Sequence, residues 1–286
     1  MKVSFIGTGD MGGPMAHNIA KAGFDLCVCD LRPEALDIAR AYGARTTSSL
    51  AQAVQDADVI ATCVRFQDQV EELFLGKNGI IALGRAGQIA IMHSTVRPAL
   101  VHEIAAAAKA RGMTLVDAPV SGGRDRSIAG TLTVIVGAED AEFKIVEPLF
   151  TAVGKDVVRV GRAGDAQVVK LGNNLMALSN QLVIMEAVRF CAAQGVSRDQ
   201  LFKVAQTSTG GSWGVSNFDF FDRYPVHHTL KGSPELPYSL AKDLRAAAAV
   251  AIANETAMPI TAMCSQLFPS YFKERWNNPE GWDKAR

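Results

Sequence analysis

Along the first half of the chain, short apolar runs alternate with stretches whose apolar residues recur every three or four positions. The runs at 3–6, 26–29, 59–64, 89–92, 115–116 and 132–136 predict strands. They are continuously apolar rather than alternating, as expected of strands buried on both faces of a parallel sheet covered by helices. Residues 11–22, 33–42, 67–75 and 98–111 predict the intervening helices. The alternation predicts an α/β class with a doubly wound domain. After a last apolar run at 157–160 the pattern changes. Residues from about 165 to 194 predict one long helix, and everything beyond reads as helix or loop, with interruptions at Gly210-Gly211 and 224–237. The predicted division is therefore an α/β domain over 1–162 and an all-α domain over 163–286 that includes the long connecting helix.

A chain of 286 residues suits two domains, and 48% hydrophobic with 20% charged residues excludes wholesale disorder. Lys plus Arg and Asp plus Glu number 29 each, so the formal net charge is zero. Such a balance gives no bulk electrostatic footprint for nucleic acid or an anionic membrane and points to recognition in a pocket. Five scattered cysteines without a C-x-x-C pair argue against a disulfide framework and against a metal site. Cys27 and Cys29 alternate onto one face of a strand and read as packing residues. The start of the chain lacks a signal-peptide pattern, and Gly, Lys or Asn interrupts every apolar stretch before it reaches membrane-spanning length. These features predict a cytoplasmic protein without a membrane partner.

Gly7-Thr8-Gly9-Asp10-Met11-Gly12 lies between the first strand and the first helix. In that context G-x-G-x-x-G supplies a tight turn, close backbone approach to a diphosphate and close helix–strand packing, with the helix N-terminus facing the phosphates. Asp30 follows the second strand 18 residues after Gly12. A carboxylate there accepts from a ribose 2′-OH and repels a 2′-phosphate, which favours NAD, although Arg32 stands two residues on and could reach a phosphate, so NADP is not excluded. Asp30 also fits as a turn residue before Pro33.

The long helix reads as apolar nearly all round, and such a helix is expected to be buried. Gln167, Lys170, Asn174 and Gln181 recur at spacings of three, four and seven, which places them on one stripe. A buried ammonium is costly unless paired. Two readings of Lys170 stand side by side: a proton-transfer group whose pKa burial lowers toward the working range, or a paired, snorkelling lysine at a domain junction.

Taken together, the motifs resemble those of the 3-hydroxyisobutyrate dehydrogenase family of β-hydroxyacid dehydrogenases. The resemblance spans essentially the whole chain. It rests on the glycine motif within 5–18, on Asp117-Ala118-Pro119-Val120-Ser121-Gly122-Gly123 running on to Gly130-Thr131-Leu132, on Gly161-Arg162-Ala163-Gly164 with Lys170-Leu171-Gly172-Asn173-Asn174, and on Lys242-Asp243-Leu244. It implies a Rossmann-like domain, a long helix, an all-α domain that assembles a homodimer or homotetramer, and an active site in the cleft between domains. By resemblance Lys170 is the general acid/base and Asn174 orients the substrate. Ser121, Gly122 and Gly123 bind the carboxylate, and Val64, Arg65, Thr95 and Lys242 contact the NAD cofactor. The implied reaction interconverts a small β-hydroxyacid and its semialdehyde. A chain used mainly as a semialdehyde reductase, or a catalytically silent nucleotide-binding module, is the alternative.

Three departures from the family pattern bear on the substrate. Val64-Arg65 replaces Leu-Pro, setting a charge where an apolar wall is expected. His93 precedes Ser94-Thr95 and reads as a core histidine or as a supporting group. Arg124 and Arg126 fall in the substrate loop, either for a second anionic group or as a solvated face. The neighbouring His227-His228 cannot share a metal on a regular element, and Trp213 with the aromatics at 218–221 reads as core or subunit-interface material.

Overall fold

The computed structural model describes residues 1–228, 230 and 233–283. These divide into two compact units, Met1–Lys170 and Leu171–Arg286. The first unit opens with β1 (Lys2–Ile6), α1 (Gly12–Lys21), β2 (Asp25–Cys29), α2 (Pro33–Ala41), β3 (Arg45–Thr47), α3 (Leu50–Gln55) and β4 (Val59–Thr62). It continues through α4 (Gln67–Leu75), α5 (Ile80–Leu83), β5 (Ile89–Met92), α6 (Pro98–Ala110) and β6 (Thr114–Asp117). It ends with β7 (Val120–Ser121), α7 (Gly123–Ala129), β8 (Leu132–Gly137), α8 (Asp140–Val153) and β9 (Gly154–Gly161).

Among the described residues these strands form one nine-stranded sheet in the order β3-β2-β1-β4-β5-β6-β8-β7, with β9 pairing β8. The expected parallel arrangement holds from β3 to β6. It fails at β8, which runs antiparallel to β6 and β7 and parallel to β9, so the sheet is mixed. An apolar run does not encode strand direction; the short β6–β7–α7 connection sets it here. Side chains alternate between two cores on opposite faces: Val3, Phe5, Val59, Ile89 and Ile91 on one, Ile6, Ile60, Ala90 and Met92 on the other. The strand order reverses between β1 and β4, the crevice where open α/β sheets bind ligands.

The long helix is α9 (Asp165–Ala193), the element along which the chain passes from the first unit to the second. Two expectations for it need correction. It is not buried all round: Val168, Val169, Met176, Val183 and Phe190 are exposed, because only the opposite side packs into the core of the second unit. By length and composition it is also apolar enough to cross a membrane, so its interrupting Gly, Lys and Asn residues do not shorten it below that threshold.

The second unit continues with α10 (Arg198–Ala205), α11 (Trp213–Ser216), a 3-10 turn at Phe218–Arg223, α12 (Tyr224–His227), α13 (Leu236–Leu240), α14 (Lys242–Ala253) and α15 (Pro259–Asn277). The stretch expected to be a loop at 224–237 thus contains α12 and the start of α13, each opened by a proline in its first turn. Its core joins Leu178, Leu182 and Met185 of α9 to Phe218, Phe221, Phe268 and Phe272. Phe218 and Phe221 are core residues, whereas Trp213 is exposed.

Candidate active site

At the crevice of the first unit, Gly7 directly follows β1 with φ +87°, and a Cβ there would stand 2.8 Å from the Cys63 carbonyl oxygen. A Cβ on Gly12 would stand 2.1 Å from the Gly7 carbonyl oxygen, so α1 can leave the strand this tightly only as glycine. At Gly9 the same atom would meet nothing within 4 Å. The loop therefore leaves open space above Gly9 at the start of α1, a cradle that suits the diphosphate of a dinucleotide.

Asp30 leaves the carboxyl end of β2 and serves as both a loop organiser and a turn residue. One carboxylate oxygen accepts from the Thr8 backbone N–H (2.8 Å) and hydroxyl (2.7 Å); the other accepts from the Arg32 backbone N–H (3.0 Å) and Nε (3.1 Å). Burial opposes its charge, but the bonds from Arg32 and Thr8 prevail and hold the carboxyl well below the usual carboxylate range. Arg32 folds back onto Asp30 and also donates to the Thr8 carbonyl at 3.1 Å. Its charge is thus shared with Asp30.

At the end of β4, Val64 is pinned by Ser94, whose hydroxyl donates to the Val64 carbonyl (2.7 Å) and accepts from its N–H (3.2 Å). Arg65 is no loose charge facing a substrate: its guanidinium meets the Asp10 carboxylate of the glycine loop at 2.7 Å. Thr95 is half-buried beyond β5. His93 is a core histidine, with Nδ1 2.7 Å from the Ala118 carbonyl and its ring stacked on Phe5. Burial pushes its pKa down to about 4, against the upward pull of that hydrogen bond.

The loop carrying Ser121, Gly122 and Gly123 leaves β6. Ser121 is half-buried on β7, and Gly122 (φ +134°) and Gly123 (φ +70°) turn the chain into α7 in conformations that favour glycine. Ser127 ties this helix to the glycine loop by donating to the Met11 carbonyl at 2.9 Å, and Asn18 of α1 donates back to the Ser127 carbonyl at 2.8 Å. Arg124 is exposed in the first turn of α7, whereas Arg126 turns toward Asp156 of β9.

Asp117 has a role that its place in the sequence motif does not announce. Fully buried, it accepts from the backbone N–H groups of Gly164 (2.8 Å) and Gln167 (3.2 Å), and so caps α9. Its pKa is pushed up to about 7 by burial, only partly opposed by those two bonds. The Gln167 side chain bonds Ser94 and Val96, fixing this turn of α9 beside the loop after β5. Lys170 follows one turn later and is buried, 6% exposed.

In the second unit, Asn174 and Lys242 meet through Asp243. Asp243 accepts from Asn174 Nδ2 at 2.6 Å and from Lys242 Nζ at 2.8 Å. A carboxylate only accepts, so it fixes the Asn174 amide with Nδ2 toward Asp243, while Oδ1 accepts from Asn173 Nδ2 at 3.2 Å and the second Nδ2 hydrogen remains a donor. The one sequence signal for Asp243 is its place in the Lys-Asp-Leu block. Gln181, last of the α9 stripe, is buried with neither amide atom bonded among the described residues. No group of three or more His, Cys, Asp or Glu side chains among the described residues is placed to hold a metal ion.

Two family models match the chain: the NAD binding domain of 6-phosphogluconate dehydrogenase over residues 2–161, and NAD-binding of NADP-dependent 3-hydroxyisobutyrate dehydrogenase over 164–280. An NAD-dependent L-serine dehydrogenase of Pseudomonas aeruginosa is 33% identical over 96% of this chain and 93% of its own. A 3-hydroxyisobutyrate dehydrogenase of the same organism is 33% identical over 93% and 90%. Among solved structures, the Mycobacterium tuberculosis 3-hydroxyisobutyrate dehydrogenase with L-serine superposes with a TM-score of 0.82 at 27% identity, covering 99% of this chain and 95% of that one.

Proposed function

The chain belongs to the 3-hydroxyisobutyrate dehydrogenase family and is an NAD(P)-dependent oxidoreductase of hydroxyacids and their semialdehydes; within that class we propose that it takes a small β-hydroxyacid, with Lys170 as the proton carrier and NAD as the preferred cofactor. The observation that carries this reading is the burial of Lys170 one turn beyond a helix N-terminus anchored by Asp117 and Gln167. A lysine so placed is positioned for chemistry at its Nζ rather than for solvation.

The open space at Gly9, the N–H groups opening α1, Asp30, the 64–65 segment and Thr95 would hold the dinucleotide. When bound, its nicotinamide supplies the hydride acceptor or donor. Ser121 and the N–H groups of Gly122 and Gly123 take the substrate carboxylate. In oxidation, Lys170 Nζ receives the proton of the β-hydroxyl as that carbon becomes a carbonyl. In reduction, Nζ returns the proton to the carbonyl oxygen. Asn174, whose amide is fixed by Asp243, would donate its second Nδ2 hydrogen to the reacting oxygen, and Lys242 would contact the cofactor. Because Asp30 shares the Arg32 charge, less of that charge is left for a 2′-phosphate, which favours NAD.

L-Serine fits the substrate class, since its hydroxyl is β to the carboxylate. Arg124, exposed beside the carboxylate-binding residues, favours a second reading in which the substrate carries another anionic group, as in a dicarboxylic or sulfonated semialdehyde. Free cysteines and a balanced charge suit a reducing cytoplasm.

The test is a panel followed by NADH absorbance. NAD and NADP are each supplied with 3-hydroxyisobutyrate, 3-hydroxypropionate, glycerate, L-serine and sulfonated analogues, for wild type and Lys170→Ala. NAD-linked turnover of a monoanionic acid, lost in the variant, is expected. Turnover of dianionic compounds alone would select the second reading, and wild-type turnover retained by Lys170→Ala would overturn the role of the lysine.

A further inference from the structure

Asp10 is the one charged residue of Gly7-Thr8-Gly9-Asp10-Met11-Gly12. It stands between the open space at Gly9 and the start of α1, where an anionic ligand is drawn by the helix dipole. A carboxylate at that point competes with a diphosphate for the same field. Arg65 meets it at 2.7 Å across 55 residues of sequence, and the two side chains are 12% and 23% exposed, so water screens the pair poorly.

The guanidinium is delivered by a fixed backbone. The Arg65 and Phe66 N–H groups both donate to Gln69 Oε1, at 3.1 and 3.0 Å, and Val64 is clasped by Ser94. The loops after β1 and β4 adjoin because these two strands are neighbours at the reversal of strand order. The acid inside the glycine loop and the arginine after β4 therefore answer each other.

Resting on the cofactor reading above, we propose that Arg65 is the charge-compensating residue of the dinucleotide site: by pairing with Asp10 it presents the diphosphate with a neutral loop in place of an anionic one. Removing either member has opposite consequences. Without Arg65, the Asp10 charge faces the phosphates without its 2.7 Å ion-pair partner, and the Arg32 charge that also acts on it is held by Asp30. Without the Asp10 charge, Arg65 contributes a net positive charge to the same site.

The experiment is NADH binding by fluorescence titration at low salt for wild type, Arg65→Gln, Asp10→Asn and the double variant, with melting curves confirming that each is folded. Arg65→Gln should weaken NADH by about tenfold or more, while Asp10→Asn should tighten it by roughly two- to fivefold. The double variant should recover most of the loss, and ADP-ribose, which carries the diphosphate without nicotinamide, should follow the same order. A pair that merely ties two loops predicts weakening by both single variants and no recovery in the double, and that result overturns the proposal. Asp10→Asn alone separates the two accounts by sign, so the outcome does not depend on Arg65→Gln folding. Wild-type protein that binds neither NADH nor NADPH would overturn the cofactor reading and this proposal with it; wild-type binding with the wrong variant order overturns this proposal only.

Discussion

The carboxylate of Asp117 accepts the backbone N–H of Gln167 at 3.2 Å, so the strand that leads into the Ser121 loop also caps the helix that carries Lys170. The second oxygen takes the Gly164 N–H, and a Cβ on Gly137 of β8 would stand 2.3 Å from that same oxygen. The neighbouring strand must therefore be glycine where the cap forms. Through this one side chain the Ser121 loop and the first turn of α9 share one anchor.

That anchor makes stability depend on pH. Asp117 ionises near pH 7 in the folded protein and near pH 4 in the unfolded chain. Between these values the folded state holds a proton that the unfolded state has released. Its contribution is full below about pH 4 and is lost as pH rises through about 7, by at most about 1.4 kcal/mol per pH unit. His93 acts in the opposite sense, its neutral buried ring costing stability as pH falls from 6.5 toward about 4, but it is common to both proteins compared. Asp117→Asn should be less stable than wild type at pH 5, with the gap narrowing toward pH 8. Denaturant melts at pH 5, 6.5 and 8 measure this, and a pH-independent gap would mean that Asp117 is ionised throughout.

A second expectation concerns Asp243, which reaches Asn174 at 2.6 Å and Lys242 at 2.8 Å. If it acts by aiming the Asn174 amide, Asp243→Asn should lower kcat/KM by roughly tenfold to a hundredfold, the cost of a misplaced reacting group. The effect should not add to that of Asn174→Ala, because the two residues would then act as one unit. Additive losses in the double variant would assign Asp243 to Lys242 instead.

Much of this was legible in the sequence, and for physical reasons. The glycine motif was readable because Gly7 and Gly12 occupy positions where a Cβ would collide with backbone, so residue identity and geometry are tied. Strands such as β5 were readable because burial on both faces demands an unbroken apolar run. By contrast β3, Arg45-Thr46-Thr47, is a three-residue edge strand with no apolar run to announce it. Helix α8 carries an interior proline, Pro148, which masks an otherwise regular helical pattern. The side-chain partnerships were the least legible. Asp10 with Arg65, Asp117 with Gln167, and Asn174 with Asp243 lie 55, 50 and 69 residues apart, and no local pattern links them.

The exposed side of α9 supports the last expectation. Val169, Met176, Val183 and Phe190 are 44%, 60%, 57% and 71% exposed, and they recur every seven residues along the helix. Seven residues are close to two helical turns, so the four side chains form one nearly straight apolar seam. A seam of this kind can pack knobs into holes against another helix, and the same seam on a second copy of the chain would match it. The expected assembly is a homo-oligomer whose interface includes α9. Light scattering coupled to size-exclusion chromatography should give a multiple of 30.5 kDa for wild type. Met176→Lys combined with Phe190→Lys should shift it to the monomer mass, since two charges buried in an apolar interface cost several kcal/mol. Full-size oligomers in the double variant would show that this face is not the interface.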